Sequence, residues 1–381
     1  MTTTSPQDPT TRARLDRLLG FLARDPDNLS LRADIFGEAL AAGVFDEAQS
    51  QAVWALTRQP VDVAWRHRLA VLDMARQEWD EARLLLAGLE AEGLGDPVLR
   101  YNLAYVDFAQ ARIADAEARL APLVEQSLAE VPQSLSVLVS CQHRRGAPDE
   151  AVATFAKWGG AVNSAAAFGA ASLAAIDAGQ VPAASAWSGQ ALRLDSRQPE
   201  AIVAQATLLL GARDAAGALA LLEPLLARTP GDGRALSTAA MAEMLASRLP
   251  QARVLFERAV ATMPGHIGTW LAFGWCELFV GDRPAARRAF ETGLGIDPTF
   301  GESHGAVAVV DALDGREAEA REGIRRATGL DPRGLSAAYA QAILDGETHD
   351  SQRFLAMAQR VLGRHAAPSG ESLAEVVLAR R

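Results

Sequence analysis

The chain of 381 residues contains one lysine, Lys157, so almost all its positive charge is arginine. No basic block stands against the formal net charge of −10. An acidic chain with dispersed arginines lacks the electrostatic footprint of a protein that grips a phosphate backbone or an anionic membrane surface. Cysteine is scarce too. Cys141 and Cys276 stand far apart, with no CxxC and no nearby histidine pair. That argues against a disulfide framework and a zinc site, and it fits two inert thiols in a reducing compartment. No uniformly apolar run reaches the ~18 residues of a membrane span. The opening "MTTTSPQDPTTRARLDRLLGFLARDPDN" has no apolar core followed by a small-residue cleavage site, so the expected location is the cytoplasm. Aromatic residues make up only 6%.

Signatures of catalysis are missing as well. No GxxxxGK[ST] loop, GxSxG elbow or strand-to-helix GxGxxG occurs. The six histidines, His67, His143, His266, His304, His349 and His365, form no metal-ligand spacing. The acidic pairs Asp46/Glu47, Asp80/Glu81 and Asp149/Glu150 read as first-turn charges that complement a helix dipole. His349 and Asp350 read as a helix start. The expectation is a non-enzyme with no cofactor and no metal.

What the sequence does hold is 49% hydrophobic residues, mostly alanine and leucine, with no clean alternating strand run between hairpin turns. An all-α chain is expected. Pro230, Pro264, Pro298 and Pro332 recur at an interval of 34, as in "GIDPTF" and "GLDPRG", a period that signals a repeat array. A second landmark keeps the beat: Ala48, Ala82, Ala116, Ala151, Ala184, Ala218, Ala252, Ala286 and Ala320. Twelve positions before each stands a mostly small residue, from Phe36 and Ala70 to Gly274 and Ala308, where two helices can approach closely. Five before, Gly43, Gly146, Gly179, Gly281 and Gly315 suit a turn that needs positive φ. Four after stand mostly large apolar groups such as Leu86, Leu120, Phe256 and Phe290. Twelve after, prolines end the second helix.

The segment 267–298 carries Trp270, Phe273, Gly274, Gly281, Ala286, Phe290 and Pro298, and on these residues the chain resembles the tetratricopeptide repeat family. Glu277 stands where that family has an aromatic, and Gly293 where it has alanine. Asp73, Asp107, Glu243 and Asp311 repeat the first departure, which reads as a family variant. The resemblance implies a right-handed α-solenoid, a superhelix of helix-turn-helix repeats. Residues 1–28 are expected to form an N-terminal capping helix and flexible start, 29–334 about nine tandem repeats, and 335–381 a degenerate tenth pair and a C-terminal capping helix. In that last segment "APSG" breaks the chain and "ESLAEVVLAR" forms the final helix.

Such arrays, as the resemblance implies, line a concave groove with their first helices. Positions 15, 11, 8 and 7 before each repeat alanine give Val71, Met74, Tyr101, Tyr105 and Phe108 as one cluster. Met241, Met244, Leu271, Trp275 and Phe279 form a second, with Leu245 and Leu278 beside them. The other reading is that several of these residues, Phe108, Leu245 and Leu278 above all, fill the interface between neighbouring first helices. Ser136, Ser140, His143 and Arg144 form a polar interruption. The lysine and asparagine clamp of some family members is missing, since Lys157 sits in a second helix and Asn102 stands alone. Arg66, Arg68, His143, Arg144 and Arg234 read first as solvated surface, with polar contacts to a partner as the other reading. The expected function is a non-catalytic protein-interaction scaffold or adaptor. Its groove would take an apolar or amphipathic peptide or helix of a partner protein. Neither nucleic acid nor membrane insertion is expected. The alternatives are a cytoplasmic chaperone for a secreted or assembled subunit, and a self-assembling homo-oligomeric scaffold.

Overall fold

A computed structural model describes residues 9–362. The stretches "APSG" and "ESLAEVVLAR", the first eight residues and His365 lie outside the described residues. The chain divides into two compact units, Met1–Ala174 and Ala175–Arg381. The first holds α1 (Pro9–Leu22), α2 (Leu29–Ala41), α3 (Phe45–Arg58), α4 (Val63–Arg76), α5 (Trp79–Ala91), α6 (Pro97–Ala109), α7 (Ile113–Gln126), α8 (Ser134–Arg144) and α9 (Pro148–Trp158). The division falls inside α10 (Ala165–Asp177). The second unit continues with α11 (Val181–Leu194), α12 (Pro199–Gly211), α13 (Ala215–Arg228), α14 (Gly233–Leu245), α15 (Leu249–Thr262), α16 (Ile267–Val280) and α17 (Arg283–Ile296). It closes with α18 (Gly301–Leu313), α19 (Glu317–Leu330), α20 (Leu335–Leu344) and α21 (Ser351–Leu362). No strand occurs among the described residues. Each unit is an α-solenoid segment in which a first helix packs on its own second helix, and that helix packs on the next first helix.

The starts of the first helices are written in their caps. Asn28, Asp62, Asp96 and Asp232 each accept a hydrogen bond from the amide three residues on, which satisfies a donor the helix itself cannot. The acidic pairs read from the sequence do sit in the first turns of α3, α5 and α9. Second helices end ahead of Pro60, Pro230, Pro264, Pro298 and Pro332.

Packing confirms the register residue by residue. All nine repeat alanines are 0% exposed. The residues twelve earlier are buried in every repeat, Gly274 among them. A Cβ on Gly274 would run into the Phe290 ring, so the glycine lets the large side chain of one helix press on the backbone of the other. Four residues after the alanine, Leu86, Leu120, Leu222, Phe256 and Phe290 are wholly buried, while Ile324 is half-buried. Replacing Ala286 by arginine should therefore overpack the contact and bury a charge, destabilising by at least about 2 kcal/mol. A denaturant midpoint that moves by no more than about 0.5 kcal/mol, the ordinary surface range, would contradict the register.

The turn between helices keeps one geometry regardless of residue type. Gly43, Gly146, Gly179, Gly281 and Gly315 all have positive φ, as the sequence suggests. The other four repeats put Gln77, Ala111, Arg213 and Ser247 at the same place with φ between 58° and 63°. A side chain there costs conformational energy, because the left-handed region crowds Cβ against the carbonyl. Ala111→Gly should accordingly stabilise by about 1 kcal/mol and Gly281→Ala destabilise by about as much. Equal melting temperatures for either variant and the parent would refute this.

Candidate functional site

Each unit carries a first-helix face of its own. In the first unit, Val71 and Met74 lie on α4, and Tyr101, Tyr105 and Phe108 on α6; all five are half-buried. The Tyr101 and Tyr105 rings are 6.2 Å apart, and Trp79 lies 6.3 Å from Tyr105. Met74 packs against the cluster of Leu86, Leu89 and Leu103. Burial pushes the Tyr101 hydroxyl up to about 12 and raises that of Tyr105, so both are neutral hydrogen-bonding groups near pH 7. The Asn102 amide lies 3.0 Å from Nε2 of His67 and donates to it, tying α6 to α4. Burial lowers the affinity of His67 for a proton, with Arg68 acting the same way and Asp96 opposing.

In the second unit, Met241 and Met244 on α14 pack against Phe256, and Leu271 on α16 against the cluster of Phe290 and Val310. Trp275 is wedged among three rings: Phe290 at 5.8 Å, Tyr339 of α20 at 5.8 Å and Phe279 at 6.2 Å. Phe279 itself is 59% exposed, and Leu245 is exposed beside the end of α14. Leu278 packs into the same core as Trp275. Arg234 is also engaged, pairing with Asp177 and lying 3.0 Å from His266.

The acids that stand nine residues before five of the repeat alanines, Asp73, Asp107, Glu243, Glu277 and Asp311, have a role that the sequence pattern left unexplained. Asp107 is 0% exposed and lies 2.9 Å from Nε of Arg83, which directly follows the alanine of the preceding repeat. Arg119 at 3.1 Å and Arg112 at 3.3 Å complete its shell. Asp311 has the equivalent partners, Arg287 at 2.7 Å and Arg316 at 3.1 Å. Buried Glu277 sits 2.8 Å from Arg253, although the angle is too poor for an aligned hydrogen bond. Glu243 pairs with Arg248. Burial first, and neighbouring acids with it, raises the carboxyls of Glu277 and Asp311, with Arg253 and Arg287 opposing. The visible signal was an arginine one residue past the alanine, one repeat ahead of an acid.

Asp73 departs from this pattern. Gln49 stands where the preceding repeat would supply its arginine, and Glu78 stands where Asp107 and Asp311 have Arg112 and Arg316. Burial first, then Glu78 and Glu81, push its carboxyl up to about 6, with Arg76 opposing. The native state thus holds this proton more tightly than the unfolded chain, and stability falls as pH rises from about 4 through about 6. Asp73→Asn should stabilise by about 1 kcal/mol near neutral pH, with the gain fading below about pH 4. A gain of equal size at both pH values would show that desolvation of the carboxylate is not the cause.

Both cysteines are buried, and burial raises their thiols to about 12 for Cys141 and about 11 for Cys276. Among the described residues no group of three or more His, Cys, Asp or Glu could hold a metal ion. No described helix is long and apolar enough to cross a membrane. A cleft of about 370 Å³ lies at the hairpin turns Arg213–Ala216 and Leu245–Arg248, and another of about 230 Å³ lies beside Arg100, Arg119 and Pro122.

A sequence-family model described as tetratricopeptide repeat matches residues 101–166 and 203–266. No curated protein matches the chain by sequence. Among solved structures it is similar to a chain of the APC/C hetero-tetramer Cut9–Hcn1. That match has 12% identity and a TM-score of 0.57, covering 93% of this chain and 76% of that one. It is also similar to the human IFIT1 dimer with m7Gppp-AAAA, at 16% identity and a TM-score of 0.53, covering 83% of this chain and 79% of that one. At these identities the likeness is one of fold.

Proposed function

We propose that this chain, a tetratricopeptide repeat protein and in general terms a protein-interaction scaffold, works in the cytoplasm as a non-catalytic adaptor. It holds a peptide or helix of a partner protein against the first-helix face. The observation that carries this reading is the placement of large aromatic and methionine side chains on that face. Tyr101, Tyr105, Met241 and Met244 are anchored along one edge by the core and open along the other, and Phe279 stands well into solvent. Such side chains offer contact area at low ordering cost, and each contributes about 2 kcal/mol or more where it is a hot spot. The m7Gppp-AAAA is a property of the IFIT1 structure. For this chain, a net charge of −10 favours a protein partner.

Quantitative affinity capture from extract of the native cell, comparing the parent with Tyr105→Ala/Phe279→Ala, tests the reading. Phe279 is a better probe than Trp275, whose removal would also open the core beside Phe290 and Tyr339. Specific loss of a captured protein, with melting unchanged, is the expected result. An identical captured set from both proteins would refute the use of this face.

A further inference from the structure

In the hairpins α4–α5, α6–α7 and α8–α9 of the first unit the two helices differ in charge. Helices α4, α6 and α8 carry Arg66, Arg68, Arg76, Arg100 and Arg144, and their only acids, Asp73 and Asp107, are buried. The acids of this part of the chain are concentrated on second helices, such as Asp80, Glu81 and Glu90 on α5 and Asp115, Glu117 and Glu125 on α7. The formal charge of −10 conceals this separation. Asp62 and Asp96, at the helix starts, spend their carboxylates on backbone amides. Arg66 is paired with Glu92 at 2.8 Å and Arg76 with Asp46 at 3.1 Å.

Arg68 and Arg144 are held differently. Each guanidinium rests over an aromatic ring, Arg68 at 4.9 Å from the Trp65 centre and Arg144 at 4.2 Å from the Phe108 centre. Stacking fixes the plane of a guanidinium and leaves its N–H edges able to fork onto a carboxylate. Arg68 holds the place in α4 that Asn102 holds in α6, and Asn102 lies on the face where it meets His67. The charge of Arg144 reaches the Tyr105 hydroxyl, where it opposes the effect of burial. The helix that touches both α4 and α8 is α6, and it carries the adjoining rings of Tyr101 and Tyr105.

Building on the scaffold reading, we propose that α4, α6 and α8 seat an extended acidic segment of the partner protein. Its side-chain carboxylates engage Arg68 and Arg144, and an apolar residue between them rests on Tyr101 and Tyr105. Two steps between packed helices separate α4 from α8, roughly 20 Å. An extended chain covers that in about six residues, so one terminal carboxylate cannot serve both arginines and the acids must be spaced within the segment. A nucleic-acid strand fits less well, because strand binders neutralise several phosphates, and of the five arginines on α4, α6 and α8 only Arg68, Arg100 and Arg144 are without an ion pair among the described residues, on an acidic chain.

The test is fluorescence anisotropy on the full chain with a synthetic labelled peptide, acetylated and amidated at its ends. The peptide carries two Asp-Glu pairs about six residues apart around a Leu-Leu centre. It should bind, lose affinity with added salt, and weaken at least about tenfold when its acids become Asn-Gln or when the protein is Arg68→Gln/Arg144→Gln. Arg68→Lys/Arg144→Lys keeps the charge without the fork, and should fall between the parent and the glutamine variant, with melting curves checking that each is folded. Arg288→Gln, which removes an exposed arginine from α17 of the other unit, should leave the peptide affinity unchanged. Absence of binding, equal binding by the glutamine variant, or preference for a single-stranded oligoadenylate would overturn the proposal. If a captured partner is lost with Tyr105→Ala/Phe279→Ala yet kept by Arg68→Gln/Arg144→Gln, the scaffold reading stands and this inference fails.

Discussion

The close approach of two helices at one alanine per repeat is the constraint from which the rest of the structure follows. With Ala48 through Ala320 fully enclosed, no larger side chain fits where first and second helices meet. That contact sets the distance between the helices, and the distance sets what may stand opposite: Ala70, Ala104, Ala240, or Gly274 where the Phe290 ring needs still more room. It also dictates the turn. Ala111 and Ser247 take the same left-handed backbone as Gly281, so packing of the hairpin, and not the preference of the turn residue, decides the conformation.

The same constraint explains how far the fold could be read in advance. In a repeat array each contact is made within a hairpin or with its neighbour, so a fixed spacing along the chain is a fixed contact in space. The alanines, the residues four after them and the prolines were legible for that reason. The four non-glycine turns were not, because nothing in Gln77 or Arg213 asks for positive φ. Nor were the buried acids: Arg83 and Asp107 lie 24 residues apart, and the pair emerges only when one repeat is laid against the next.

The face was legible in outline and less so in detail. Spacing chose Tyr101, Tyr105 and Phe279 as surface groups, and they keep exposed area. Spacing also chose Trp275, which meets Tyr339 of α20. That contact passes over α18, and a pattern built on nearest neighbours has no term for it. Gly305 permits it, since a Cβ there would lie 2.7 Å from the Ala337 amide nitrogen, so α20 can settle closely on α18. Part of what spacing assigned to a ligand surface is thereby committed to holding the end of the described array.

Charge follows the same division between structure and surface. Arg83, Arg119 and Arg287 are spent on buried acids, where removing the acid would leave two or more arginines gathered without the charge that holds them. Arg66 is spent on Glu92 at the end of its own hairpin, and Arg76 on Asp46 of the preceding one. Counting arginines therefore overstates the positive charge available to a partner, and counting acids overstates the repulsion, because Asp107 and Asp311 are already neutralised inside the stack. What a ligand meets is the remainder after these internal pairs are removed. On α4, α6 and α8 that remainder is positive, against the sign of the whole chain.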